Sequence, residues 1–81
     1  MPTVLRWSRY RVFFFSNERN EPPHIHVRAA DNEAKFWLHD FAVAANAGFP
    51  AMNSVLIVRY LKPHRDAFLA AWNEHFATRR R

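Results

Sequence analysis

The sequence lacks cysteine altogether and contains a single glycine among its 81 residues. Without cysteine, the chain forms no disulfide, no thiolate metal site and no cysteine nucleophile. One glycine is too few for a glycine-rich phosphate loop, a turn-dense β-sandwich or a collagen-like repeat. A domain this small without disulfides depends on packing, a partner or a metal ion, and it suits a reducing compartment such as a bacterial cytosol.

Long apolar runs are missing as well. No stretch approaches the roughly 20 apolar residues that a membrane-spanning helix needs. The first six residues, MPTVLR, do not follow the charged-then-apolar order of a secretory signal. We therefore expect a cytoplasmic protein that does not associate with a membrane.

Negative charge is scarce, since 12 Lys and Arg residues stand against 7 Asp and Glu residues, for a formal net charge of +5. Three of the positive charges are the last three residues, Arg79 to Arg81, so the rest of the chain is only weakly basic. Hydrophobic residues make up 49% and aromatic residues 16% of the sequence, which is enough for a compact core. These values predict one folded domain over residues 1–81, with a basic tail at 79–81.

The first half of the chain has the composition of β-strands. β-branched and aromatic residues cluster in segments that alternate or are bounded by turn-forming residues. Residues 17–23, NERNEPP, form a polar connector that ends in two prolines and cannot continue a β-ladder. A short turn at Asp31-Asn32 separates the last two segments. The pattern predicts four strands, at Thr3 to Trp7, Tyr10 to Ser16, His24 to Ala30 and Glu33 to His39.

The second half has helical periodicity. Phe41 to Ala47 is predicted as a short helix that ends at Gly48, and Pro50 stands where a new helix begins. From Val55 to Phe76 apolar residues recur every three or four positions, and Pro63 is expected to kink or split this helix near Leu61. The fold class is therefore α+β. A small antiparallel sheet of about four strands is followed by a short helix and a long C-terminal helix packed on one sheet face.

The third and fourth strands carry the candidate site. Side chains alternate between the two faces of a strand, so His24, His26 and Arg28 share one face. A turn at Asp31-Asn32 places Trp37 opposite His26 and His39 opposite His24, and it keeps the apolar residues of both strands together. Three histidines, Trp37, Arg28 and Lys35 are thus expected to gather on one face of the sheet.

One interpretation of this face is nucleic-acid or partner binding. A sheet surface with aromatic and cationic side chains stacks bases and holds phosphates. Trp37 is predicted to stack a base, and Arg28 and Lys35 are predicted to hold the backbone. Arg6 and Arg11 extend the basic strip.

A second interpretation is catalytic. Histidine exchanges protons near neutral pH and serves as general acid and base in phosphodiester cleavage. An RNase-type toxin would use His26 as the general base and His24 as the acid, with Arg28 and Lys35 stabilising the charge of the phosphorane. Neither the binding nor the catalytic interpretation needs a cofactor.

A third interpretation is a metal site. His24 and His26 project together from one strand, and His39 is the candidate third ligand. Imidazole donors favour zinc or nickel, because no carboxylate other than Glu33 is securely placed on this face. A purely protein-interaction module without chemistry also fits the residues, as do ordinary hydrogen-bonded strand histidines.

Several segments together match a known family pattern. They are Met1 to Arg6, Ser16 to Glu18, Asn20 to Arg28, Glu33 to Leu38 and Ala71 to Phe76. On these segments the chain resembles the small bacterial proteins catalogued as domain of unknown function 4160. The resemblance implies a protein encoded beside another small protein, in an arrangement typical of toxin–antitoxin pairs. It thus implies a partner protein from the neighbouring gene and RNA or DNA as a further ligand, but no catalytic residue. A homodimer is suggested separately by Phe13, Phe14 and Phe15, which occupy both faces of their strand, so that at least one is not covered by a single helix layer.

Overall fold

The computed structural model describes residues 3–15 and 20–78. Five strands come first, followed by two helices joined by a short 3₁₀ turn at Lys62–His64. The predicted basic tail at 79–81 and Ser16, the predicted end of the second strand, lie outside the described residues. The elements are β1 (Thr3–Trp7), β2 (Tyr10–Phe13), β3 (His24–Ala29), β4 (Asn32–Trp37), β5 (Val43–Ala47), α1 (Ala51–Leu61) and α2 (Arg65–Thr78).

The strands form one antiparallel sheet in the order β1-β2-β3-β4-β5. The α+β class is confirmed, with five strands instead of about four. The short helix predicted over Phe41 to Ala47 is wrong, because β5 occupies this segment and pairs with β4, with Val43 opposite Phe36. Alanine is the strongest helix former, but intrinsic propensity is a weak influence, and backbone hydrogen bonds to the edge of β4 outweigh it. Gly48 takes a φ of 104° as expected for a chain reversal, but it ends a strand.

The hairpin between β3 and β4 turns one residue earlier than predicted. Ala29 pairs with Asn32, so Ala30 and Asp31 form the turn, and Ala30 takes a φ of 54°. The predicted opposition of His26 to Trp37 and of His24 to His39 is therefore wrong. His24 lies opposite Trp37, and His26 lies opposite Lys35. Because the shift is two residues, every side chain keeps its predicted face.

The helical half divides at Pro63 as the sequence predicts. Pro50 is the N-cap of α1, which ends at Leu61, and Pro63 lies in the 3₁₀ turn before α2. Proline has no backbone N–H and its ring clashes with the preceding turn, so a regular helix cannot run through it. The Arg65 side chain donates a 2.7 Å hydrogen bond from Nε to the Leu38 carbonyl, which joins the start of α2 to the end of β4. Neither helix, within the described part of the chain, is long and apolar enough to cross a membrane.

The helices cover one face of the sheet. Ile57, Leu61 and Phe68 are buried in one cluster with the apolar side chains of the strands, which are Val12, Ile25, Val27, Ala29, Ala34, Phe36 and Leu38. A smaller cluster of Phe14, Trp72 and Phe76 continues the core along α2. The prediction that the C-terminal helix packs on one sheet face is confirmed. The candidate site therefore lies on the opposite face, except that Trp72 of α2 reaches His24 at the start of β3.

Candidate functional site

The sheet face that points away from Ile57, Leu61 and Phe68 is polar and aromatic, and we call it the open face. It carries alternate residues of the first four strands, which share a face because cross-strand partners project to the same side. All predicted binding residues lie on it, together with both predicted catalytic histidines. The open face comprises Arg6, Arg11, Phe13, His24, His26, Arg28, Glu33, Lys35 and Trp37.

Three arginines form a row across the open face. Arg6 pairs with Arg11, Arg11 pairs with Arg28, and Arg28 pairs with Glu33, on four successive strands. Adjacent strands lie about 4.8 Å apart, so the row is a narrow line of guanidinium groups that ends in one carboxylate. Arg28 Nη2 lies 2.7 Å from Glu33 Oε1, and its Nε lies 3.0 Å from the same oxygen. We call these three arginines the arginine row.

The Phe13 ring lies beneath two guanidinium groups of the arginine row. Its side chain is fully buried although it points to the open face. The Arg11 guanidinium carbon lies 4.6 Å from the Phe13 ring centroid, and that of Arg28 lies 5.9 Å away. Cation–π contacts of this kind hold a guanidinium in place. The FFF segment predicts that one phenylalanine lies outside the helix-covered core, and the structure confirms this for Phe13.

His26 is nearly buried between aromatic rings and a carboxylate. Its ring stacks on Phe13 at 5.4 Å between centroids and meets Phe15 edge-on at 4.7 Å. Nδ1 lies 3.4 Å from Glu33 Oε2, so Glu33 contacts both His26 and Arg28. The sequence places Glu33 on this face but predicts no contact with His26, because the position of Glu33 relative to His26 depends on where the hairpin turns. The structure supplies an orienting carboxylate for a predicted general base.

His24 is fully buried. Its Nδ1 lies 2.8 Å from the Pro22 carbonyl oxygen, which only accepts, so Nδ1 carries the proton and donates. The ring contacts Trp72 of α2 at 4.9 Å between centroids, and it meets Trp37 at 5.7 Å and His26 at 5.3 Å. A general acid must touch the substrate, and His24 has no surface with which to do so in this conformation. Its acid role stays a prediction, while its contacts give it a structural role.

Lys35 is engaged by two neighbours. Its ammonium group pairs with the Glu21 carboxylate and lies 4.8 Å from the Trp37 ring centroid. This ion pair attaches the segment before β3, which contains Glu21, to β4. A phosphate at Lys35 would compete with Glu21, as a phosphate at Arg28 would compete with Glu33.

His39 lies apart from the other two histidines of the predicted metal site. It follows β4 in the turn, its side chain is 68% exposed, and its Nε2 lies 3.3 Å from Asp40 Oδ2. No group of three His, Asp or Glu side chains within residues 3–15 and 20–78 has the geometry of a metal site. The zinc or nickel site of His24, His26 and His39 stays a prediction.

Comparison with known proteins adds one match. A family model described as "Domain of unknown function (DUF4160)" matches residues 10–73, which include the open face from Arg11 to Trp37 and most of α2. No curated protein and no solved structure matches the chain.

Proposed function

The chain belongs to the domain-of-unknown-function 4160 family. From this premise we propose that it is the nucleic-acid-binding component of a toxin–antitoxin-like pair. We propose that its ligand is single-stranded RNA, bound on the open face. The family description assigns no activity, so the proposal rests on the site. The pairing with a neighbouring protein comes from the family resemblance.

The arginine row is the observation that carries the proposal. Arg6, Arg11 and Arg28 lie in register on three adjacent strands. Guanidinium groups bind phosphates through two parallel hydrogen bonds, which makes arginine the usual residue for phosphate recognition. Among the described residues, Glu33 lies at the end of the arginine row, where its carboxylate pairs with Arg28.

A flat sheet face favours single strands over duplexes. A protein reads duplex DNA with an element that enters a groove, whereas sheet surfaces bind single-stranded bases that are splayed out and stacked. Trp37 is half-buried beside the Lys35 ammonium group, where part of its ring is available to a base. Aromatic stacking of this kind contributes about 1–3 kcal/mol per base.

The geometry favours binding over cleavage. A two-histidine mechanism needs both imidazoles at the scissile phosphate, and His24 is fully buried against Trp72. His26 keeps a small exposed fraction and has Glu33 at its Nδ1. If cleavage occurs, His26 is therefore the residue that we expect to take part.

A salt titration of RNA binding tests the proposal. We expect a fluorescent single-stranded RNA to bind with an affinity that falls as salt rises, because three arginine contacts release counterions. For three phosphates on a single strand, the slope of log K against log salt is about −2. Fluorescence anisotropy between about 50 and 200 mM salt measures this slope. The absence of binding, or binding that does not change with salt, contradicts the proposal.

Induced expression in a bacterium tests the pairing. We expect growth to stop when the chain is expressed alone and to recover when the neighbouring gene is co-expressed. Arrest should be lost when Arg6 and Arg28 are both replaced by glutamine, because the effect requires RNA on the open face. Unimpaired growth contradicts a toxin role. Growth arrest that persists in the double variant contradicts the claim that the arrest requires RNA on the open face.

A further inference from the structure

The outer face of α1 is apolar where a surface helix is normally polar. Met52, Val55 and Leu56 follow the i, i+3, i+4 spacing of one helix face and are 75%, 59% and 51% exposed. Val43 of β5 is 49% exposed and lines a groove with Val55. The inner face of α1 is apolar as well, with Ile57 and Leu61 fully buried. A helix that is apolar on both sides has the composition of a buried helix.

Two open grooves run beside this face. Arg59 and Pro63 line both grooves, with Val55 and Lys62 in one and Leu56 and His64 in the other. Among the described residues that line the grooves none is acidic. Arg59 and Lys62 form no ion pair with any described residue. The apolar side chains of the outer face therefore have a groove on each side, with the basic residues Arg59 and Lys62 at one end.

We propose that the outer face of α1 binds an acidic amphipathic helix of a partner protein. The apolar stripe of such a helix would lie against Met52, Val55 and Leu56, as helices dock in apolar grooves through residues spaced three and four apart. Its carboxylates would meet Arg59 and Lys62, which form no ion pair with any described residue. The two basic residues thus favour a partner with negative charge, and the apolar side chains of the outer face favour a partner helix with an apolar stripe.

A second copy of this chain fits the face poorly. Two α1 helices in antiparallel contact would bring Arg59 and Lys62 of each copy toward the other helix's N-terminal end. That end has no acidic residue in its first turn and carries the positive pole of the helix dipole. The exposed apolar surface comes from four side chains, Val43, Met52, Val55 and Leu56, whereas a stable protein dimer buries about 800 Å² and about 20–30 residues per partner. One docked helix matches the patch better than a whole protomer.

The α1 face and the open face lie on opposite sides of the sheet. Ile57 and Leu61 of α1 pack against the core face, and the arginine row projects from the other face. A protein on α1 therefore leaves the open face accessible. This inference does not depend on RNA binding and stands if RNA binding fails.

Designed peptides test the inference with the full chain. The probe is a helix of about 18 residues, or five turns, with leucine at i, i+3, i+4 and i+7 and glutamate at the flanks. The matched control peptide replaces each glutamate with lysine. We expect the acidic peptide to bind with micromolar affinity, at least ~30-fold tighter than the basic one, since like charges at an interface are strongly disfavoured.

Two protein variants locate the contact. The double variant Val55→Ser and Leu56→Ser should bind the acidic peptide about 10-fold more weakly, because apolar contacts that the complex buries are lost. Arg59→Glu with Lys62→Glu should reverse the preference, so that the basic peptide binds better. These four positions are exposed or line open grooves, and circular dichroism checks that both variants fold.

Three outcomes overturn the inference. If the two peptides bind equally well, the predicted preference for an acidic helix is wrong. If neither peptide binds, the outer face of α1 is not a docking site for a helix. The third is sedimentation of the unmodified chain as a dimer that Leu56→Glu converts to a monomer, which would make a second copy the occupant. No RNA is present in these measurements, so their failure is distinct from a failure of the proposed RNA binding.

Discussion

Replacement of His24 by alanine is expected to lower the free energy of unfolding by about 2–4 kcal/mol, since the change removes a buried ring and a buried hydrogen bond. The ring packs against Trp37 and Trp72, and its Nδ1–H donates a hydrogen bond to the Pro22 carbonyl oxygen. Single domains have about 5–15 kcal/mol of stability, and small ones lie toward the lower end. Urea denaturation followed by tryptophan fluorescence measures the loss.

Two further variants make this test specific. His24→Asn keeps an N–H donor near the position of Nδ1 and should recover part of the lost stability. His39→Ala removes an exposed imidazole and should change stability by less than about 0.5 kcal/mol. A His24→Ala protein that is as stable as the parent but loses activity would contradict the structural role and support the catalytic one.

Replacement of Arg6, Arg11 and Arg28 by glutamine is expected to weaken RNA binding about 100-fold at low salt. Each charge-assisted contact to a phosphate contributes about 1 kcal/mol or more, and three together exceed 2.7 kcal/mol. The slope of log K against log salt should also fall by about 2, since three counterion-releasing contacts are lost. Anisotropy titrations of the same RNA measure both changes.

The tail provides a control with matched charge. Replacement of Arg79, Arg80 and Arg81 by glutamine removes the same three charges, so a purely electrostatic attraction would weaken equally in both variants. We expect the tail variant to retain affinity within about 10-fold. Equal losses would contradict a specific site. Because Arg11 lies 4.6 Å from the Phe13 ring centroid, the double variant of Arg6 and Arg28, both exposed, repeats the test with the Arg11 contact intact. Its matched control is a tail variant that loses two arginines.

Much of the fold follows from the sequence. β-branched and aromatic alternation located the first four strands, and proline marked the start of α1 and the break before α2. Alternation also assigned His24, His26 and Arg28 to one face, with Lys35 and Trp37 opposite them on β4. These features were predictable because local patterns determine them.

The fifth strand and the register of the hairpin were not predictable in the same way. Residues 41–47 are rich in alanine, and only the edge of β4 makes them a strand. The turn places Ala30 at a φ of 54°, a conformation in which Asn, Asp or Gly is ordinarily expected. Asp31-Asn32 is the better turn by composition, yet the pairing of the two strands selected the turn one residue earlier.

The site differs from its prediction chiefly in burial. Alternation shows that a side chain is on the open face, but it does not show what lies over that side chain. His24 is buried by Trp72, which is 48 positions along the chain and reaches it through the packing of α2. The arginine row depends likewise on three separate strand pairings. Arg6 and Arg11 appear in the sequence as an extension of the site and prove to be in line with Arg28.

The measurement that most directly tests the account is an amide chemical-shift map of isotope-labelled protein titrated with single-stranded RNA. The account predicts that the changes concentrate on the open face, at the amides around Arg6, Arg11 and Arg28 and at the Trp37 indole. The α1 amides from Met52 to Leu56 should stay unchanged. Changes confined to α1 or to the tail, with the open face unaffected, would contradict it.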